Sequence, residues 1–198
     1  MQPLNPKGIA TGVTLVTLLA AGCTAGAGEE NPDDNPQHAF FDALSERCGE
    51  EYPGRAIIAP ETDLTFRPAY LAMQIASCTD SQIRIPFIVD GDASRTWVLT
   101  LDDDGLLFTH EHLLDGDTLS SNSGWGGRAP AGSGTALFQH FPDHRWAPDR
   151  VPEENRSHWR MRIDPDHGQF VYYLDRGTVP AYRLVFHMGQ DPLLSSGM

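Results

Sequence analysis

Lysine is all but missing from this 198-residue chain: Lys and Arg together number 14, and every one except Lys7 is Arg. Against them stand 27 Asp and Glu, a formal net charge of −13 at pH 7. A surface so short of positive charge is repelled by nucleic acid and by anionic lipid headgroups, which removes both as partners and leaves the excess charge to keep the protein soluble. Cysteine is scarce as well, with three residues, none of them in a CxxC pair or beside a histidine cluster. No GxSxG is present, so Ser/His/Asp chemistry on a strand-turn-helix elbow has no support. Gly124 to Gly127 with Arg128 is Gly-rich but matches neither GxGxxG nor GxxxxGK, which leaves nucleotide binding unsupported. There is no internal repeat and, past the N-terminus, no hydrophobic run long enough to span a bilayer as a helix. No motif asks for a cofactor, and a monomer is expected.

What is present begins with an address. Lys7 precedes an uncharged run from Ile9 to Gly22 that is too short for a transmembrane helix, the pattern of a secretory signal over residues 1–22. The run ends Leu18-Leu19-Ala20-Ala21-Gly22-Cys23, which resembles the lipobox of bacterial lipoproteins, with Ala20 where such boxes more often carry Leu. The resemblance implies that Cys23 is acylated, as with palmitate, and becomes the first residue of an exported, lipid-anchored protein. Thr24, in place of Asp, is similar to the pattern sorted to the outer membrane, facing the periplasm. The rival reading is an ordinary signal cleaved after Ala25-Gly26-Ala27. Residues 23–37, rich in Gly, Pro, Asn and acids, read as a flexible tether.

Either cleavage leaves Cys48 and Cys78, which are expected to pair in an oxidising compartment. Closing a loop of about 30 residues would contribute roughly 3 kcal/mol through the unfolded state. A reactive thiol or a metal ligand is the alternative. The remaining chain suffices for one domain with a core. Phe40, Phe41, Leu44 and Cys48 repeat at helical spacing, with Asn35 and Pro36 suited to a start and Gly49 to a stop, so the spacing predicts one helix over Pro36 to Cys48. Short alternating runs follow: Arg55 to Ala59, Tyr70 to Cys78, Gln82 to Val89, Arg95 to Leu101, Leu106 to Leu114, Thr135 to Phe141, His158 to Ile163, Gln169 to Asp175 and Ala181 to Met188. Asp/Gly breaks such as Asp90-Gly91, Asp115-Gly116 and Asp175-Arg176-Gly177 separate them. This predicts a mainly β protein, a single antiparallel meander barrel or sandwich with one N-terminal helix, over residues 38–190 and with a tail at 191–198. Pro86 cannot donate a ladder hydrogen bond, so its strand lies at an edge or bulges there. Ser120 to Gly134 reads as an irregular loop pinned by Trp125.

The stretch Arg95 to Asp117 is the natural centre of the chain. Arg95, Trp97, Leu99 and Leu101 fall on one face of the first strand, and Leu106, Phe108, His110, His112 and Leu114 share a face of the second. Two imidazoles at i and i+2 are a spacing some metal sites use, and His140, Asp143, His144 or His187 would have to supply a third ligand. Glu111 between them does not make the helical HExxH motif. The plainer reading makes His110 and His112 hydrogen-bonded residues at a barrel mouth. Arg84 and Arg95 in apolar strands each need an anionic partner, either a carboxylate of the chain or a ligand. Trp97, Trp159, Phe170, Tyr172, Tyr182 and Phe186 stand at strand spacing and read as core.

The order Ile83-Arg84-Ile85-Pro86-Phe87, Ser94-Arg95-Thr96-Trp97, Leu107 to His112, Asp115-Gly116, Gly126-Gly127 and Gln139 through Pro142 resembles a group of small exported proteins of proteobacteria that carry RIPF, SRTW, a His-x-His strand and a Gly-Gly loop in this order. The resemblance implies a shared unit and brings no activity with it. Where those proteins tend to have His and Arg before the second Cys, this chain has Gln74 and Ala76. Two functions follow as expectations. The first is a lipid-anchored envelope module, structural or holding a small ligand, with Arg84, Arg95, His110 and His112 gathered around a small anion. The second is an envelope hydrolase or metal-dependent enzyme using His110 and His112, with Arg84 or Arg95 binding an anionic substrate.

Overall fold

Asn35 caps the first helix by folding its side chain back on the first helical turn, its Oδ1 accepting from the Gln37 N–H at 2.9 Å. The computed structural model describes residues 35–67, 69–143 and 156–189. The signal segment, Cys23 and most of the tether, His144, and the predicted tail at 191–198 lie outside them. With Pro36 in its first turn, helix α1 spans Pro36–Ser45 and buries Gln37, Phe40, Phe41 and Leu44. It stops three residues short of the predicted Cys48, because residues 46–49 are turns that lead the chain into the first strand.

Twelve strands then make one sheet: β1 Glu51–Ile58, β2 Leu71–Gln74, β3 Ser77–Cys78, β4 Gln82–Val89, β5 Asp92–Asp102, β6 Gly105–Leu114, β7 Thr118–Leu119, β8 Trp125–Arg128, β9 Phe138–Pro142, β10 Ser157–Asp164, β11 Gln169–Arg176 and β12 Val179–His187. All pairings are antiparallel, in the order β7-β6-β5-β4-β2-β1-β12-β11-β10-β9. The result is a strongly curled meander, a half-barrel, which decides between the two architectures left open above. Asp90 and Asp115 stand at positive φ (49° each) beside Gly91 and Gly116, in the corners the sequence marks.

Three expectations need correction. The predicted strand from Tyr70 to Cys78 is two strands, broken around Ile75 and Ala76. Its partner β4 carries Pro86 opposite that break, since Met73 pairs with Phe87 and the pairing resumes only at Ser77 with Arg84. The missing N–H of Pro86 therefore meets no ladder acceptor, which is how a proline stands in a strand flanked on both sides. Ser120 to Gly134 is not irregular throughout, because it contains β8, which pairs with β6 and bridges the far end of the sheet at Gly127 and Asp143. The last is β9, which starts at Phe138, with Thr135 contributing only an isolated bridge.

The disulfide Cys48–Cys78 is formed, with its Cα atoms 6.1 Å apart. It ties the chain just after α1 to β3. Inside the curl, Phe40, Phe108, Phe141, Phe170, Phe186, Leu99 and Ile85 are fully buried. Gln37 fastens the helix to the sheet: Leu106 N–H donates to its Oε1 and its Nε2 donates to the Pro130 carbonyl, both at 2.8 Å. Gln139 Nε2 donates to the Pro36 carbonyl at 3.1 Å. Thus α1 closes the end of the half-barrel that carries the β5–β6 turn and leaves the opposite end to be filled by other side chains.

Candidate functional site

At the end away from α1, the ladder between β5 and β6 sets Arg95 opposite His112 and Trp97 opposite His110. Side chains directly opposite on an antiparallel pair share a face, so all four point into the curl and line one cavity of about 230 Å³. The sequence reading of this hairpin, with period 2 on both strands, places these residues as the structure does. Trp97 forms the floor, stacked between Tyr172 at 4.5 Å and Phe87 at 5.1 Å. Trp125, Trp159, Tyr182, Leu174 and Leu184 complete an aromatic and aliphatic wall.

The loop 59–67, from which no site residue is expected, brings Phe66 to the mouth. Asp63 organises it, with Oδ1 accepting from Thr65 N–H at 2.9 Å while Oδ2 takes the Tyr182 hydroxyl at 2.6 Å. Phe66 then lies 5.5 Å from Phe87 and 5.6 Å from Tyr182, and the Arg95 guanidinium sits 5.7 Å from the Phe66 ring. Burial and the bond to Asp63 push the Tyr182 phenol up to about 12, and burial raises Tyr172 as well, so both line the cavity as neutral hydroxyls.

The other side of the mouth is held by the turn after β7. Ser123 Oγ accepts from His112 N–H at 2.9 Å and donates to the His112 carbonyl at 3.1 Å, clamping this turn to β6. His110 Nδ1 lies 3.2 Å from the Trp125 carbonyl. A carbonyl only accepts, so the ring proton stands on Nδ1. Burial, then the neighbouring Arg95 charge, lowers His112 below the usual histidine range, with Asp92 opposing. Arg95 Nη1 is 3.1 Å from Asp92 Oδ2, an exposed pair.

Arg84 does not join them. It lies on the outer face of β4, where Nη2 pairs with Glu111 Oε2 at 2.6 Å and Nη1 with Oε1 at 3.3 Å, and this carboxylate raises the guanidinium's already high pKa. A protein carboxylate is thus the partner of Arg84. Nor do His140, Asp143 and His187, the described candidates for a third metal ligand, join His110 and His112 in the cavity lining. His140 faces outward on β9, its ring stacked 5.6 Å from that of His158. Among the described residues no three His, Cys, Asp or Glu side chains come together as a metal site.

The cavity also holds groups that the sequence reading assigned elsewhere. Trp97, Trp159, Tyr172 and Tyr182 read as core at strand spacing, and they are core that ends in a cavity wall. Arg176 reads as part of a turn, and the last residue of β11 brings it to the mouth. Only its place at the end of an inward-pointing strand pattern could have marked it. No family model, curated protein or solved structure matches this chain.

Proposed function

We propose that this protein is an exported, lipid-anchored module of the bacterial cell envelope whose half-barrel takes up a small ligand at the end opposite its helix. The single observation that carries the ligand reading is the cavity of about 230 Å³ beside Trp97, walled by aromatic side chains and opened at a mouth with polar groups. Apolar cavities with a few convergent polar groups are the usual form of small-molecule sites. Two hydrogen-bonded tethers, Asp63 to Tyr182 and Ser123 to His112, hold the mouth in shape without a ligand. The anchor rests on Cys23 and the signal before it, and the resemblance to the exported proteobacterial group fits the same address.

The test is retention. Full-length protein extracted in mild detergent and denatured after exhaustive washing is expected to release a small molecule at up to one equivalent, detected by mass spectrometry. Trp97→Ala, which removes the floor, is expected to release less than a tenth as much. Equal release from both proteins, or none from either together with no tryptophan fluorescence response to a broad metabolite panel, would refute a ligand site here. The anchor is tested separately: Cys23→Ser should abolish incorporation of labelled palmitate.

A further inference from the structure

We infer that the ligand of this cavity is a compact aromatic anion of single-ring size, its ring against the Trp97–Trp159 wall and its acidic head between Arg95 and Arg176. This rests on the ligand reading above and narrows it to a chemical class.

Charge gives the first part. Acids outnumber Lys and Arg by 27 to 14 in this chain, yet among the described residues the cavity lining carries Arg95, Arg176, His110 and His112 and no Asp or Glu. Among the described residues two acids approach from outside the lining and are engaged there: Asp63 accepts the Tyr182 hydroxyl, and Asp92 holds one edge of Arg95 by a single nitrogen. Arg176 makes no ion pair among the described residues. Guanidinium groups over a partly dry cavity favour a planar, bidentate acceptor such as a carboxylate.

The wall gives the second part. Trp97, whose two faces are taken by Tyr172 and Phe87, turns an edge to the cavity beside Trp159, Tyr172 and Trp125, and against such an aromatic wall a flat π-system is a better partner than a puckered aliphatic ring of equal size. Volume gives the third. A dry cavity of about 150 Å³ accommodates benzene, so the 230 Å³ here suits about nine non-hydrogen atoms on the same scale. That is one ring and one head group.

Benzoate is the matched probe, with benzamide as its neutral isostere and cyclohexanecarboxylate as its non-aromatic one. Calorimetric titration of the full-length protein at pH 7 is expected to show benzoate binding at least tenfold tighter than benzamide and at least threefold tighter than cyclohexanecarboxylate. Arg95→Gln and Arg176→Gln should each weaken benzoate toward the benzamide value, whereas Arg84→Gln, on the outer face, should leave it unchanged. If Arg95→Gln does not fold by circular dichroism, the exposed Arg176→Gln carries the same comparison. Benzamide binding as tightly as benzoate would overturn the acidic head, and equal binding of cyclohexanecarboxylate would overturn the aromatic ring. No binding by any of the three, in a protein that still releases a retained molecule, overturns this ligand class and leaves the cavity's binding role standing. No retained molecule and no probe binding would remove both.

Discussion

Gly127 holds the two ends of the curled sheet together because it has no side chain. A Cβ there would overlap the Pro142 carbonyl oxygen and lie 2.7 Å from the Phe141 carbonyl carbon, while one on Gly126 would overlap the backbone of Phe108. Backbone cannot move aside as a flexible side chain can, so Gly127→Ala is expected to cost about 3 kcal/mol, the upper end of overpacking penalties. A urea titration checks it, and a loss below about 1 kcal/mol would mean that the seam between β8 and β9 tolerates separation. His112 sets a second expectation, in pH. Burial and Arg95 depress its folded pKa, and burial, His158 and Arg160 depress that of His140. The unfolded chain then binds these protons at higher pH than the folded one, so stability is full above the ordinary histidine value near 6.5 and is lost as pH falls toward the folded pKa values. Asp92, Asp102 and Asp164 are shifted downward as well, and their effect belongs below about pH 4. Melting temperature should therefore fall between pH 7 and 5, and His112→Gln should flatten part of that slope; a rise in that window would contradict the burial of both rings.

At the level of elements, the disulfide and the strand it fastens are the clearest case. β3 has only two residues, Ser77 and Cys78, pairing with Arg84 and Ile83, and so short a strand contributes little pairing of its own. Cys48 and Cys78 are 30 residues apart, and reducing the bond, or replacing both with Ser, should cost about 3.6 kcal/mol on the loop-entropy estimate. The change should appear in a denaturant midpoint, and an unaltered midpoint would mean that the loop is closed by packing alone. The meander was legible because Asp/Gly corners and period-2 runs are local signals. The inward face of β5 and β6 was legible for the same reason, which is why Arg95, His110 and His112 were found together. β8 was not, since Gly126 and Gly127 have no alternating pattern to read and are chosen for close approach to strands remote in sequence. Arg84 was misplaced among the candidates although period 2 along β4 sets it on the face opposite Ile83, Ile85 and Phe87, where Glu111 is its partner; what alternation leaves unread is which cross-strand carboxylate meets it.

In the whole molecule, the helix plug and the cavity occupy opposite ends of one curled sheet, and this separation makes their energetics independent. Replacing Gln37 by Leu would leave the Leu106 N–H without its partner at a buried end, while the Pro130 carbonyl keeps the Ser133 N–H at 2.9 Å, a loss of about 1 to 3 kcal/mol for the one stranded group. Distant sites that share no partner act additively, so the Gln37→Leu cavity should keep the ligand affinity of the unaltered protein. A ligand bound only by the folded state adds RT ln(1 + [L]/Kd), about 2.7 kcal/mol at a hundred times Kd. At about 2 to 4 °C per kcal/mol for a domain of this size, saturating ligand should raise the melting temperature of both proteins by the same amount, roughly 5 to 10 °C. Thermal melts of Gln37→Leu and the unaltered protein, each with and without ligand at that ratio, make the comparison. Equal increments on unequal baselines are the expected result. A ligand that rescues only the Gln37→Leu protein would show that the two ends communicate through the sheet, and one that raises neither would show that it binds outside the fold's cooperative unit.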